Sequence, residues 1–154
     1  MRKQFEAIWE YVVEIILSTA ILDLLNQLKG TEVLRGWLVH KRTDLINLLV
    51  VAAAATAVTF GAFFAVLTTE FGLRLRQFGE AKAYSTALGY PLLLFVVTLA
   101  LLTLGPAGEG TKYDDFLIFL LIYSAVNLFT MIKNVIGLVS LWQDVDRARK
   151  TGKR

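Results

Sequence analysis

The sequence predicts an all-α integral membrane protein, a four-helix bundle whose last helix extends into the cytoplasm, and three observations carry that expectation. The stretches 45–67, 90–105 and 116–132 hold almost no charge, and a chain of 154 residues is too short to bury all three in a soluble core. Hydrophobic residues make up 56% of the chain, the mean hydropathy is +0.58 and Pro totals only 2, so long helices meet few interruptions. The segments between the stretches, 29–44 and 69–86, are each under ~20 residues and leave a single domain, 1–154. Helices are expected at about 4–28, 44–70, 87–105 and 114–147.

The N-terminal helix is the ambiguous one. Residues 4–28 contain no Pro or Gly, and Glu6, Glu10, Glu14 and Ser18 fall along one i, i+4 line. Ten Ile, Leu and Val residues between Ile8 and Leu25 favour insertion by about 5 kcal/mol, and Glu14 near mid-depth costs ~2 to 3 kcal/mol, with Glu10 and Asp23 costing less. Insertion is therefore close to neutral, and loop charge decides. Four spans with cytoplasmic termini put ten cations inside, among them Arg74, Arg76, Arg147, Arg149 and Lys150, and five outside. Three spans with the first helix lying on the surface give eight against seven, so the charge balance favours four. A cleavable signal peptide is not expected, because Glu10, Glu14 and Asp23 interrupt the first apolar run.

The second helix contains 23 uncharged residues, Leu45 to Leu67, against roughly 20 needed to cross a bilayer core. One side of it is small, from Ala52 through Ala57, and Gly61 and Ala65 have the small-xxx-small spacing of a close-packing face. The third helix begins near Ala87, with Pro91 in its first turn where a missing N–H is tolerated, and Gly105 with Pro106 ends it. The last helix opens on Asp114 and Asp115, favourable at a helix N-terminus. It passes without a breaker except Gly137 into an amphipathic extension that reaches about residue 147 and places Trp142 near the headgroups. Leaving Leu141 and Val145 in water would forfeit roughly 1.5 to 3 kcal/mol per side chain, so the extension should dock on another helix or subunit.

Polar groups inside spans are functional candidates. Glu10, Glu14 and Ser18 on the first helix, and Asn127, Lys133 and Asn134 on the last, are the candidate pore or packing residues. Glu14 is placed to pair with Lys133, whose structural alternative is to snorkel to the headgroups. Tyr123, Ser124, Thr130 and Ser140 add to the hydrogen-bonding density of the last helix, which can glue helices together. Tyr11, Tyr84 and Tyr90 are expected at the cytoplasmic interface.

Catalytic chemistry finds no foothold. Cys is absent, His40 is the one histidine, and no phosphate-cradling glycine loop occurs, so no metal, haem or nucleotide cofactor is expected and the protein is predicted to be non-enzymatic. The formal net charge of +3 is explained by anionic lipid headgroups contacting Arg74, Arg76, Arg147, Arg149 and Lys150, without a nucleic-acid partner. The functional expectation is a homo-oligomeric channel or pore, ion-conducting or holin-like. The alternatives are a small accessory or scaffold subunit of a larger membrane complex and, third, a small-solute transporter.

This topology is checked by thiol labelling, since the natural chain has no Cys. Gly108→Cys should label from outside intact cells, and Gln77→Cys only after the cytoplasmic face is opened; the reverse pattern would invert the orientation.

Overall fold

The computed structural model describes residues 2–105 and 112–150, with side-chain surroundings for residue 9 and for residues 11–105 and 112–147. Among the described residues the secondary structure is wholly helical: α1 (Arg2–Gln27), α2 (Gly30–His40), α3 (Arg42–Val66), α4 (Glu70–Gln77), α5 (Glu80–Leu104) and α6 (Lys112–Lys150). Helices α3, α5 and α6 are each long and apolar enough to cross a membrane. The count reaches four if α1 from Tyr11 and α2, which meet at a 96° bend, form one broken span.

Two segments read from sequence as connections are helices. Alternation of apolar and polar residues over one or two turns is too short a pattern to separate from a loop. Helix α4 has local signals all the same: the Thr69 side chain accepts from the Gly72 N–H at 3.3 Å, Glu70 lies in the first turn, and Arg74 and Arg76 lie in the last. A Cβ on Gly72 would run into the Leu67 backbone and the Val66 carbonyl, so the sharp return of α4 onto the end of α3 requires glycine there. At Gly79 the backbone is left-handed (φ 73°), which separates α4 from α5. The break between α1 and α2 uses Lys29 at φ 57°, a conformation that gave no glycine signal in the sequence.

Helix α5 starts seven residues earlier than expected, which moves Pro91 from the first turn to the interior. Proline lacks the N–H that would close the bond to the Ala87 carbonyl four residues back. Helix α6 is continuous across Gly137, 39 residues or about 58 Å long. Its extension docks in part within the chain: Trp142 stacks on Phe71 of α4 with ring centroids 6.0 Å apart, and Val145 packs against the cluster around Phe71 and Leu138, whereas Leu141 stays exposed.

The long helices pack as a row, α1 against α6, α6 against α5, and α5 against α3, each neighbour antiparallel. Helices α1 and α3 do not pack on each other to any extent, so the array is open along one side rather than a closed four-helix ring. Helix α2 bridges α3 and α6 at the end where α1 finishes, while α4 lies on α5 at the opposite end, where α1 begins and α6 ends. Leu38, Leu45, Leu49, Phe95, Leu102, Leu117 and Ile118 form the apolar core at the α2 end. Phe63, Leu67, Phe71, Leu75, Leu88, Met131 and Leu138 form it at the α4 end.

Polar clasps tie the α2 end together. The last carbonyls of α5 have no intrahelical donors, and Arg42 supplies them. Its Nε donates to the Leu102 carbonyl at 2.8 Å, and Nη2 donates to the carbonyls of Leu102, Thr103 and Gly105, the last at 2.8 Å. A cation there also meets the negative end of the helix dipole. Tyr113 donates to the Leu101 carbonyl, and Arg35 pairs with Asp115 across α2 and α6. Arg42→Ala should lower unfolding stability in mild detergent by about 1.5 to 3 kcal/mol, the worth of charge-assisted hydrogen bonds. Arg42→Lys should recover part of it, because an ammonium cannot fork across three carbonyls. An unchanged melting temperature in Arg42→Ala would remove the clasp from the account of stability.

Candidate functional site

Polar groups of α1, α5 and α6 face one another and form a seam. Along α1, Glu14 is 6% exposed and Ser18 fully buried, whereas Ile15, Ile16 and Leu17 are exposed. The i, i+4 spacing thus turns the polar line inward against α6 and leaves apolar side chains outside. Ser18 donates to the Glu14 carbonyl at 2.7 Å, a bond within its own helix that removes the hydroxyl from competition for the carboxylate. On α6, Asn127 is 2% exposed and its amide donates to the Tyr123 carbonyl at 2.9 Å.

Helix α5 contributes Tyr90, whose hydroxyl lies 2.8 Å from that of Tyr123, and Thr98, whose hydroxyl lies 3.2 Å from that of Ser124. The Tyr90 ring also packs edge-on against Tyr11 at 4.8 Å, so the first turns of α1 seat on α5 through an aromatic pair. Tyr11, Glu14, Ala87, Tyr90, Pro91, Asn127, Thr130 and Asn134 enclose a cavity of about 10 Å³. That is room for about one water-sized occupant.

The seam is asymmetric along the helices. From Asn134 to Ser124 it runs about 15 Å along α6. Beyond Ser124, toward the α2 end, the layer of Leu38, Leu102, Leu117 and Ile118 is at most 1% exposed and carries no polar side chain. Toward the end where α1 begins and α6 ends, Asn134 is half-buried and Trp9 and Lys133 are exposed. Within the seam Glu14 is the buried carboxyl group, with hydroxyls and amides toward one end and hydrocarbon toward the other; a second buried carboxyl, Asp114, lies beyond that hydrocarbon layer at the start of α6.

Of the residues singled out from sequence, Glu14, Ser18, Asn127 and Asn134 meet in this seam. Lys133 does not join them: it is exposed on α6 and makes no ion pair among the described residues, so the pairing with Glu14 is not formed. Gly61 and Ala65 are exposed, and a Cβ at Gly61 would meet nothing, so the packing within the chain does not use that face. The part of the small side that is used consists of Ala52 and Ala53, packed against the core at the α2 end, and the buried Thr56. Arg74, Arg76 and Arg147 are exposed, the last 3.8 Å from Asp144. The side chains of Glu10, Arg149 and Lys150 lie outside the described residues, although their backbones belong to α1 and α6.

Tyr11 and Tyr90, expected as interfacial anchors, are part of the site, and Thr98, Ala87 and Pro91 were missed. The signal for Pro91 was present as a proline whose helix could be extended backward through Glu80. A separate apolar groove of about 490 Å³, lined by Leu25, Val33, Trp37, Leu121 and Ile122 among others, lies outside the seam and carries no polar side chain. The chain matches no protein-family model, and comparison with curated proteins and with solved structures finds no significant match.

The Tyr90 and Tyr123 hydroxyls should couple α5 to α6. A double-mutant cycle of Tyr90→Phe and Tyr123→Phe, read from unfolding in detergent, should return a coupling of about 0.6 kcal/mol and less than 2. A value of zero would show that the pair does not hold the helices together.

Proposed function

We propose that this chain is a non-enzymatic multi-pass membrane protein that conducts or carries a proton or small cation, with Glu14 as the group the ion engages. The observation that carries the reading is the enclosure of Glu14 by α1, α5 and α6 of a single chain. A carboxyl group placed among apolar helices is costly. A stripe serving only to pack helices needs hydroxyls and amides but no ionisable group. The one-sided seam fits a state in which the ion has access from the end where α1 begins and α6 ends and is barred at the α2 end by Leu38, Leu102, Leu117 and Ile118. In this reading α3, α5, α6 and the bent α1–α2 pair span the membrane, and both termini are cytoplasmic, as the loop charges favour. The polar path then belongs to each protomer.

A homo-oligomer is the second reading, favoured by the exposed Gly61 and Ala65 face of α3, where another helix backbone can approach closely. In that arrangement copies assemble through α3 while each keeps its own seam.

Flux into liposomes made with the purified protein tests the first reading. Glu14→Gln should reduce ion flux at least ~10-fold, a loss of about 1.4 kcal/mol or more in the transport barrier, while elution in mild detergent stays unchanged. Flux equal to wild type would remove Glu14 from the path. Gly61→Leu tests the second reading: it should convert an oligomeric elution profile to a smaller species, and a profile unaltered by the substitution would exclude assembly through that face.

A further inference from the structure

We infer that the cavity at Pro91 is a binding site for a single dehydrated alkali cation of the sodium type, held by the Glu14 carboxylate and neutral oxygens of α5 and α6. The inference rests on the reading of Glu14 as the ion-engaging group and names the occupant.

The balance of donors and acceptors argues for a cation. Asn127 uses an amide proton on the Tyr123 carbonyl, which turns its Oδ1 away from that carbonyl. The Thr130 hydroxyl donates to the Val126 carbonyl at 3.3 Å, leaving its oxygen lone pairs available, and one of the Tyr90 and Tyr123 hydroxyls donates to the other, which keeps its own proton. Pro91 cannot donate to the Ala87 carbonyl, and both residues line the cavity. A backbone carbonyl released from its helix is the kind of ligand that transport proteins offer to sodium at interrupted helices. The site therefore gathers several oxygen acceptors around one small cavity: the Glu14 carboxylate, the Asn127 amide oxygen, the Thr130 hydroxyl and the Ala87 carbonyl.

Charge and size select the class. Among the described residues Glu14 is the one carboxylate lining the cavity, and no cationic side chain lines it. A single negative charge matches a monovalent ion; calcium takes six to eight oxygens with several carboxylates, and magnesium retains its waters. At about 10 Å³ the cavity admits an occupant the size of one water and excludes organic cations.

Thermal unfolding of the full chain in mild detergent, in sodium chloride against choline chloride at equal ionic strength, tests this. A ligand bound only to the folded state stabilises it by RT ln(1 + L/Kd), where L is the free ligand concentration, and the effect rises with the logarithm of L above Kd. Sodium should therefore raise the Tm, with a logarithmic dependence on its concentration above Kd, and choline should not. Pro91→Ala restores the N–H for the Ala87 carbonyl without removing any side-chain ligand, and it should raise the sodium Kd fitted from the Tm series roughly tenfold or more. Tyr90→Phe should do the same, and Glu14→Gln should abolish the sodium response. If Glu14→Gln does not fold, the other two variants decide alone. Equal Tm values in the two salts would overturn the inference, and if Glu14→Gln still abolished flux, the proton would stand as the transported ion. A sodium response undiminished in Pro91→Ala and Tyr90→Phe would place the ion elsewhere and equally overturn it. Sodium stabilisation that depends on Glu14, with flux indifferent to Glu14→Gln, would uphold the site and defeat the transport reading.

Discussion

A carboxyl group can be held at 6% exposure between apolar helices only where the surrounding side chains take over the role of water, and much of this fold is arranged around that requirement at Glu14. Helix α6 brings Asn127, Thr130 and Asn134, and α5 brings Tyr90, to the same small cavity as Glu14, so both helices face α1 there. Once α5 is fixed by that seam, its other face receives α3 and one of its ends receives α4. The most enclosed of the long apolar helices is α6, which lies between α1 and α5, and the least enclosed is α3 at the edge of the row.

Buried hydroxyl groups of the bundle serve two purposes that their bonds distinguish. Ser18, Thr56 and Thr98 each donate to the carbonyl four residues back on their own helix, which allows a small polar residue to be buried without a partner on another helix. Thr98 and the Tyr90–Tyr123 pair also reach across from α5 to α6. In a solvent of lipid tails the apolar contacts give little preference for one neighbour over another. The cross-helix hydroxyls are what select the register of α5 on α6.

The long helices were legible because charge-free runs of spanning length have few competing explanations. The inward turn of Glu14 and Ser18 was legible as a line, since i, i+4 spacing fixes a face, but the line does not say which helix covers it. That answer depends on α6, roughly a hundred residues away in sequence. Helices α2 and α4 were not legible because each is short and lies beside a stronger apolar signal that absorbs attention to its own ends. Tyr11 and Tyr90 were assigned to the interface on the general habit of aromatic rings. Their mutual packing at 4.8 Å is a tertiary fact with no local trace. Lys133 shows the converse: its position suggested a partner for Glu14, yet an exposed lysine at a helix surface can reach headgroups without one.

The row order α1, α6, α5, α3 also sets a timetable for synthesis. Helix α1 emerges first, but the neighbour against which it packs emerges last. At about 5 to 20 residues per second, roughly 6 to 20 s separate translation of Glu14 from that of Asn127. Throughout that interval the α6 side of the seam does not exist, and Glu14 lacks the side chains of Asn127 and Thr130 that line its cavity in the finished fold. Helices α3 and α5 are both complete before α6 is made, so the packing of α1 in the row waits on the last helix to be synthesised.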